Sequence, residues 1–341
     1  MAKRPTMDDV AREAEVSQAT VSMVLNDAQA GRVSDETAQR VRDAAARLGY
    51  RTNMHAKVLR EGKAQIIGLI GDEVATSPFA GAMILGAQQQ AWKRGYVLLT
   101  VDTAGSANLE GAAIEMLQSY RVAGVLYAAM YHRILEVPRS LRTVRTVCLN
   151  AQDADGRVPS VFPDEERGGR EATEHLLAAG HRRIGIINIQ AGDESLPAAT
   201  GRLVGYRAAL EAAGLPVDPD LIRHGHGTYE DGLNQLPGLM ELDDPPTAIF
   251  CANDRTALGA YHALAARGLS VPGDVSIVGF DDQTILEQMF SPRLTTFQLP
   301  LAQLGRLAVD TLLDGTKGSD RLPVTCSLVP RQSVSPAKVL L

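Results

Sequence analysis

The most constraining stretch of this chain is its first 26 residues, where apolar residues recur at helical spacing in two short bursts separated by a few polar ones. Val10 and Ala14 fall on one face of a first helix that Thr6 can cap, and Val21 and Val24-Leu25 on the inner face of a second that Ser17 can cap. Between them there is room only for a tight turn. Two short helices joined so closely, the second opening on small polar residues, have the geometry that presents a helix to the major groove of DNA. An ordinary helical hairpin would satisfy the same local pattern, and the segment alone leaves both readings open.

A third helix follows. Ser34 precedes Asp35-Glu36, which places a cap and two carboxylates at the positive end of a helix; Ala38, Val41, Ala45 and Leu48 then recur at helical spacing until Gly49 stops it. Charge supports the nucleic-acid reading. Residues 1–60 hold ten Lys/Arg against eight Asp/Glu, whereas the remainder holds 24 against 32, so the net charge of −6 is carried elsewhere. An acidic chain repels phosphate on average, and any DNA contact has to be made by this one end.

Residues 51–63 join this headpiece, residues 1–50, to the rest. Asn53 can cap a short helix, but about eight residues fall below the roughly 12 to 15 that an isolated helix needs in water, so the segment is a candidate switch. In two copies lying side by side, Ala56 and Leu59 share a face, and Leu59 is placed to wedge between base pairs from the minor groove. A plain flexible linker is the competing reading.

From residue 64 short apolar runs alternate with helical patterns. Ile66–Ile70, Tyr96–Val101, Gly124–Ala128, Val144–Asn150, Ile184–Ile189, Thr247–Cys251 and Val275–Phe280 read as buried strands; Gly81–Arg94, Gly168–Ala179, Arg202–Ala213 and Thr256–Arg267 read as helices. Such alternation builds parallel sheets covered on both faces, and ligands then sit outside the carboxyl ends of the strands. Pro78-Phe79, Asn150, Arg202, Asn253-Asp254 and Asp281-Asp282 fall at such loop positions.

The run Asp9-Val10-Ala11, Val16-Ser17, Thr20-Val21-Ser22, Val24-Leu25-Asn26, Val33-Ser34, Arg40-Val41, Leu48-Gly49-Tyr50 and Asn53 resembles the lactose-repressor (galactose/lactose) family of bacterial transcription regulators. The later motifs Gly180-His181-Arg182-Arg183-Ile184, Gly205-Tyr206-Arg207-Ala208-Ala209-Leu210, Ala252-Asn253-Asp254 and Val278-Gly279-Phe280-Asp281-Asp282 extend the likeness over essentially the whole chain. The resemblance implies an all-α helix-turn-helix headpiece joined to a two-lobed, periplasmic-binding-protein-like α/β core over residues 64–341. The first lobe would take about 64–164 and 294–326, the second about 165–293 and 327–341. It further implies DNA contacts from Thr6, Ser17, Gln18, Ala19, Thr20, Ser22, Met23 and Asn26 and from the hinge residues Asn53, Ala56 and Leu59, with base reading centred on Gln18, Ala19 and Met23. Gln pairs bidentately with adenine, whereas Ala and Met offer apolar contact. The chain departs from the family at Thr52, where proline is usual, and at Met54, where a basic residue is common.

By the same resemblance Phe79, Asn150, Asp164, Arg202, Tyr229, Asn253 and Asp281 hold a small effector. Two aromatic rings, several acceptors and one fork-shaped donor suit a sugar best and a nucleobase-like co-repressor second. The implied partners are a near-palindromic operator and a second copy of the chain, in the cytoplasm. A sugar transporter's solute-binding protein would share the lobes, but should carry an export signal where this chain has a headpiece; no signal peptide or membrane span is visible. The three cysteines, Cys148, Cys251 and Cys326, are too few and too scattered for a disulfide framework or a metal site. No phosphate loop, nucleophile elbow or paired zinc histidines occur, so neither catalysis nor a cofactor is expected. His224-Gly225-His226 reads as a loop, His181 as a residue following a helix end, and Trp92 as core or interface.

Overall fold

The computed structural model describes residues 5–25, 33–50, 64–77, 79–190, 196–315 and 320–338. The chain divides into two compact units, Met1–Ala64 and Gln65–Leu341.

The first unit contains α1 (Met7–Glu13), α2 (Gln18–Leu25) and α3 (Asp35–Leu48). Thr6 Oγ1 accepts from the Asp9 amide at 3.3 Å and the Asp9 carboxylate accepts from the Thr6 amide at 2.8 Å, a reciprocal cap that starts α1. The turn to α2 runs through Glu15, whose φ of 54° is left-handed, while the Val16 amide donates to Ala11 O at 3.0 Å and closes the first helix. Ser17 Oγ then accepts from the Thr20 amide at 3.1 Å, and Ser34 Oγ from the Thr37 amide at 3.3 Å at the head of α3. Gly49, with φ 64°, ends α3. Val10, Ala11, Ala14, Val21, Val24, Val41, Ala44 and Ala45 form the buried core, and their small side chains let three short helices pack closely. The expected hinge over 51–63, with Asn53, Ala56 and Leu59, lies outside the described residues, as does Asn26.

The second unit begins with β1 (Ile66–Asp72), α4 (Gly81–Lys93), β2 (Val97–Asp102), α5 (Ala107–Ser119), β3 (Gly124–Leu135), β4 (Thr146–Asp153) and β5 (Ser160–Pro163). It continues through α6 (Glu165–Ala178), β6 (Ile184–Asn188), α7 (Pro197–Ala212), β7 (Ile222–His224), α8 (Tyr229–Met240), β8 (Ala248–Cys251), α9 (Asp254–Ala265) and β9 (Ser276–Asp281). It closes with β10 (Thr295–Gln298), α10 (Leu301–Asp314), β11 (Arg321–Val324) and β12 (Ser327–Val329).

Two six-stranded sheets result, ordered β11-β5-β4-β3-β1-β2 and β12-β10-β9-β8-β6-β7. All pairs are parallel except β10 with β12. The seven strands read from apolar runs are present. The strands β5, β7, β10, β11 and β12 were not read from the sequence: each has three or four residues, and none is the uniformly apolar run that marks the equally short β8.

Two boundaries differ from expectation. The strand Thr295–Gln298 pairs with β9, so the chain returns to the first sheet after residue 298 and not near 294; a parallel partner was already waiting there. Helix α7 starts at Pro197, five residues before Arg202, because proline fits the first helical position and Arg202 lies on the buried side of the next turn. The chain thus passes between the sheets after β5, after β10 and between β11 and β12. Phe250, Phe280 and Phe297 are fully buried, with successive ring centroids 6.3 and 6.0 Å apart. Among the described residues no helix is long and apolar enough to cross a membrane.

Candidate functional site

The first unit presents one face of α2. Val21 and Val24 point into the core, which turns Ser17, Gln18 and Ala19 outward and leaves Thr20, Ser22 and Met23 half-buried at its border. Residues 18 and 22, and 19 and 23, are one turn apart, so they form two adjoining rows on the outward surface. The Gln18 amide nitrogen donates to Asp8 Oδ1 at 3.2 Å, which orients the side chain along the groove between α1 and α2. Thr6 serves as the α1 cap.

The second unit gathers its polar groups at the carboxyl ends of β3, β4, β6, β8 and β9, where the sequence pattern placed a ligand. Arg202, 2 % exposed, is their centre. Its position follows from glycines: a Cβ at Gly169 would fall on the Arg202 backbone, and one at Gly201 would lie 2.8 Å from Glu165 Cβ. Helices α6 and α7 therefore approach closely enough for Arg202 Nε to donate to Glu165 Oε2 at 2.7 Å. Arg202 Nη1 donates to Ala252 O and lies 3.5 Å from Asp281 Oδ1, while the guanidinium carbon sits 4.0 Å above the Phe280 ring.

Opposing effects set the ionisation here. Burial pushes the Glu165 carboxyl up, but Arg202 and His132 outweigh it and hold it below the ordinary range. Asp281 has the weaker hold on Arg202, and burial raises it to about 6. Asp254, buried beside Asp281, is raised to about 8, so it keeps its proton at neutral pH; its oxygens contact Thr296 Oγ1 at 2.6 Å and accept from the Gln283 amide at 2.7 Å.

An extension of β3 brings the first sheet into the same cluster. The apolar run ended at Ala128, yet β3 continues to Leu135 through a register shift against β4. Tyr131 Oη accepts from Arg255 Nη2 of α9 at 2.6 Å. His132 is 3 % exposed, stacks on Phe162 at 4.8 Å, and lies 3.6 Å through Nδ1 from Glu165 Oε1. Gln152 Oε1 accepts from Arg321, which fixes the amide so that its nitrogen donates to His132 Nε2 at 2.7 Å. The other ring nitrogen, Nδ1, is thereby turned toward Glu165.

The expected effector residues divide. Arg202 and Asp281 meet directly. Phe79 and Asp281 border one cavity of about 570 Å³ with Asp282 and Gln298. Asn150, at φ 54°, donates through Nδ2 to Ala129 O at 3.0 Å and Met130 O at 2.9 Å, and its buried Oδ1 has no partner. Asn253 is engaged with the backbone: its Oδ1 caps α9 at Thr256 and its Nδ2 holds Gly227 O. Asp164 caps α6 from a half-buried position, and the following residue, Glu165, makes the Arg202 contact.

Tyr229 is not brought to Arg202; it opens α8 and its hydroxyl contacts His262 Nδ1 at 2.7 Å, two turns along α9 from that helix's start. Glu165, His132, Gln152 and Arg321 went unread. Of these only Glu165 carried a local signal, a carboxylate followed at close range by Gly168-Gly169.

The other residues singled out in the sequence have these surroundings. His181 bridges Thr247 Oγ1 at 2.9 Å and Ser335 O at 3.1 Å. Asp282 pairs with Arg331 at 2.7 Å. Trp92 is 75 % exposed on α4. The three cysteines are free and buried, and no His/Cys/Asp/Glu group suited to a metal occurs among the described residues.

Known proteins share this arrangement. Residues 6–53 match the bacterial regulatory proteins of the lacI family, and residues 64–332 match the periplasmic binding proteins and sugar binding domain of the same family. The ribose operon repressor of Haemophilus influenzae is 34% identical over 325 residues, covering 95% of this chain and 96% of the relative. The transcriptional repressor CytR of Escherichia coli is 34% identical over 335 residues, covering 96% of each. Among solved structures, a lac repressor dimer bound to operator and the anti-inducer ONPF covers 98% of this chain and all of its own length (100%), at a TM-score of 0.80 and 28% identity. The complex of the transcriptional regulator CelR with cellobiose matches at a TM-score of 0.67 and 31% identity over 97% of this chain and 100% of that one. With an outward-facing α2 on a three-helix unit, polar groups gathered at the strand ends of two parallel sheets, and both family models matched in order, the chain belongs to the LacI family of DNA-binding transcriptional regulators.

Proposed function

We propose that this protein is a homodimeric repressor acting in the cytoplasm, without catalytic activity, that reads a near-palindromic operator through α2 and changes its operator affinity when a sugar occupies the cleft around Arg202. One observation carries the sugar reading. A buried fork donor lies between two carboxylates, His132 stands beside one of them, and Asn150 at the end of β4 keeps a buried Oδ1 without a hydrogen bond, a mixture of donors and acceptors that hydroxyls satisfy. A purine-type co-repressor is the second reading, supported by the stacked His132 and Phe162 rings, which offer a flat π surface. Dimerisation is supported by the apolar side chains that α4 and β2 leave in solvent, Leu85 at 53%, Trp92 at 75% and Val97 at 54% exposure.

Fluorescence anisotropy on the full-length chain tests the reading. Affinity for a palindromic duplex should fall steeply with salt, and Gln18→Ala should weaken discrimination at an adenine of the half-site by about 1–3 kcal/mol. Asp281→Asn should leave basal operator binding intact while removing the response to a sugar that shifts the wild type. Salt-independent binding, or an unaltered sugar response in Asp281→Asn, would overturn the corresponding half of the proposal.

A further inference from the structure

We infer that the effector unit carries a second ligand site, at the amino ends of β4 and β5, for a small organic molecule bearing a phosphate ester. The sequence points there first. Residues 121–157 hold six arginines against three carboxylates, in a portion of the chain, residues 61–341, that holds 24 Lys/Arg against 32 Asp/Glu. The fold gathers four of the six. Arg139 and Arg142 belong to a 3₁₀ turn, Arg139–Thr143, in which residues three apart stand one above the other. Arg145 directly precedes β4. Arg157 lies in the turn into β5, where Asp153 Oδ2 fixes the backbone by accepting from the Arg157 and Val158 amides at 2.8 and 3.1 Å. The cleft around Arg202 opens at the carboxyl ends of the strands, so a site at this edge is independent of the effector reading.

Arg142, Arg145 and Arg157 line a cavity of about 480 Å³ whose other lining residues, Val144, Pro159 and Leu312 among them, include no carboxylate. An adjoining cavity of about 720 Å³ shares Arg142 and Arg157 and adds Arg139, with the carboxylates of Glu136 and Asp155. Compensation is incomplete. Arg142 Nη2 pairs with Asp155 Oδ2 at 2.5 Å, and Asp155 is held below the ordinary carboxylate range by Arg142 first and then by Arg157 and Arg139. Among the described residues Arg145 has no carboxylate partner and donates to Leu313 O at 3.2 Å, the Arg139 and Arg157 side chains make no hydrogen bond or ion pair, and Arg142 Nε is buried without a partner. Guanidinium groups stay charged at any physiological pH, and their planar forks match pairs of phosphate oxygens. A phosphate monoester brings about −1.5 to −2 of charge on three acceptor oxygens, enough to engage more than one fork, where a single carboxylate brings one charge on two. The cavity has the size of a small-molecule site, and its apolar wall covers a carbon body that a bare ion lacks.

The test is calorimetry on the full-length chain at fixed ionic strength, with ribose 5-phosphate, adenosine 5′-monophosphate and inorganic phosphate as probes. At least one of the two esters should bind saturably and more tightly than inorganic phosphate, which leaves the apolar wall bare. Arg145→Gln/Arg157→Gln should weaken binding of that ester by about tenfold or more. Arg157→Ala alone removes a side chain that has no partner to lose, and should shift affinity in the same direction without lowering the melting temperature. Arg170→Gln/Arg207→Gln takes the same charge from exposed positions on α6 and α7 and should leave affinity within about twofold. Equal losses in the two double variants would reduce the effect to net charge and overturn the inference. So would the absence of saturable ester binding, ester affinity untouched by Arg145→Gln/Arg157→Gln, or inorganic phosphate binding as tightly as both esters.

Discussion

The headpiece and the effector unit bury opposite kinds of residue. The eight residues of the headpiece core are all valine or alanine, and its polar groups are caps at helix ends. The effector unit buries Glu165, Arg202, Asp254 and Asp281, each 7% exposed or less, with Arg202 2.7 Å from Glu165 and 3.5 Å from Asp281. A small apolar core tolerates no isolated charge, whereas a unit of 277 residues encloses enough apolar surface to hold a paired network and present it to a ligand. Stability in the headpiece is therefore packing and capping; in the effector unit a part of it is charge compensation.

The largest expected effect breaks that compensation. Arg202→Ala should destabilise the effector unit by about 3–5 kcal/mol, because Glu165 and Asp281 stay buried and lose the guanidinium that compensates both. Replacing Glu165, Arg202 and Asp281 together by apolar residues of similar volume should restore most of the loss in a melting experiment while abolishing the effector response. Failure of the triple variant to recover would mean that the network is needed for the fold and not only for the ligand.

The second effect is on pH. Asp281 at about 6 and Asp254 at about 8 both lie above their ordinary values, so the folded state keeps protons that the unfolded chain releases. Their contribution is fully present below the unfolded pKa and is lost as pH rises through 6 and then 8. Stability should drop by about 1.4 kcal/mol per pH unit for each proton involved, and Asp254→Asn should flatten the alkaline part of that slope. Glu165, held low, acts in the opposite sense and only in acid. The headpiece, with no buried titratable group among its described residues, should show no such slope when followed by hydrogen exchange at its own amides.

Smaller effects sharpen the headpiece side. Val41→Ala should cost about 2 kcal/mol in headpiece protection and lower operator affinity without moving the melt of the effector unit. Ser34→Ala should cost about 1 kcal/mol by leaving the Thr37 amide uncapped at the head of α3. A change in sugar affinity from either substitution would show that the two units are energetically coupled through more than the DNA-bound state.

Much of this was legible along the chain. Thr6, Ser17, Ser34 and Gly49 mark helix ends by interactions that span three or four residues, so a linear reading finds them. Central strands announce themselves by apolar runs that burial on both faces requires. The candidate site was legible only in part. Of the residues read there, Arg202 and Asp281 meet directly, whereas Asp164 caps α6 and its neighbour Glu165 makes the Arg202 contact, since two adjacent carboxylates differ only in which way α6 turns them. Tyr229 opens α8, which Thr228 caps, and its hydroxyl reaches His262, a contact across 33 residues that no local pattern announces.

The sequence by itself determined the two-unit plan, the helix boundaries of the headpiece and the parallel sheets, because these depend on periodicity and on caps within a turn of their partners. Only the tertiary structure decided which charges are compensated. Glu165 and Arg202 are 37 residues apart, and His132 and Gln152 are 20 apart; they meet because glycines on α6 and α7 let two helices touch and because β3 runs past its apolar core. Whether a buried charge has its partner is a question of distances below about 4 Å, and no local pattern carries that information.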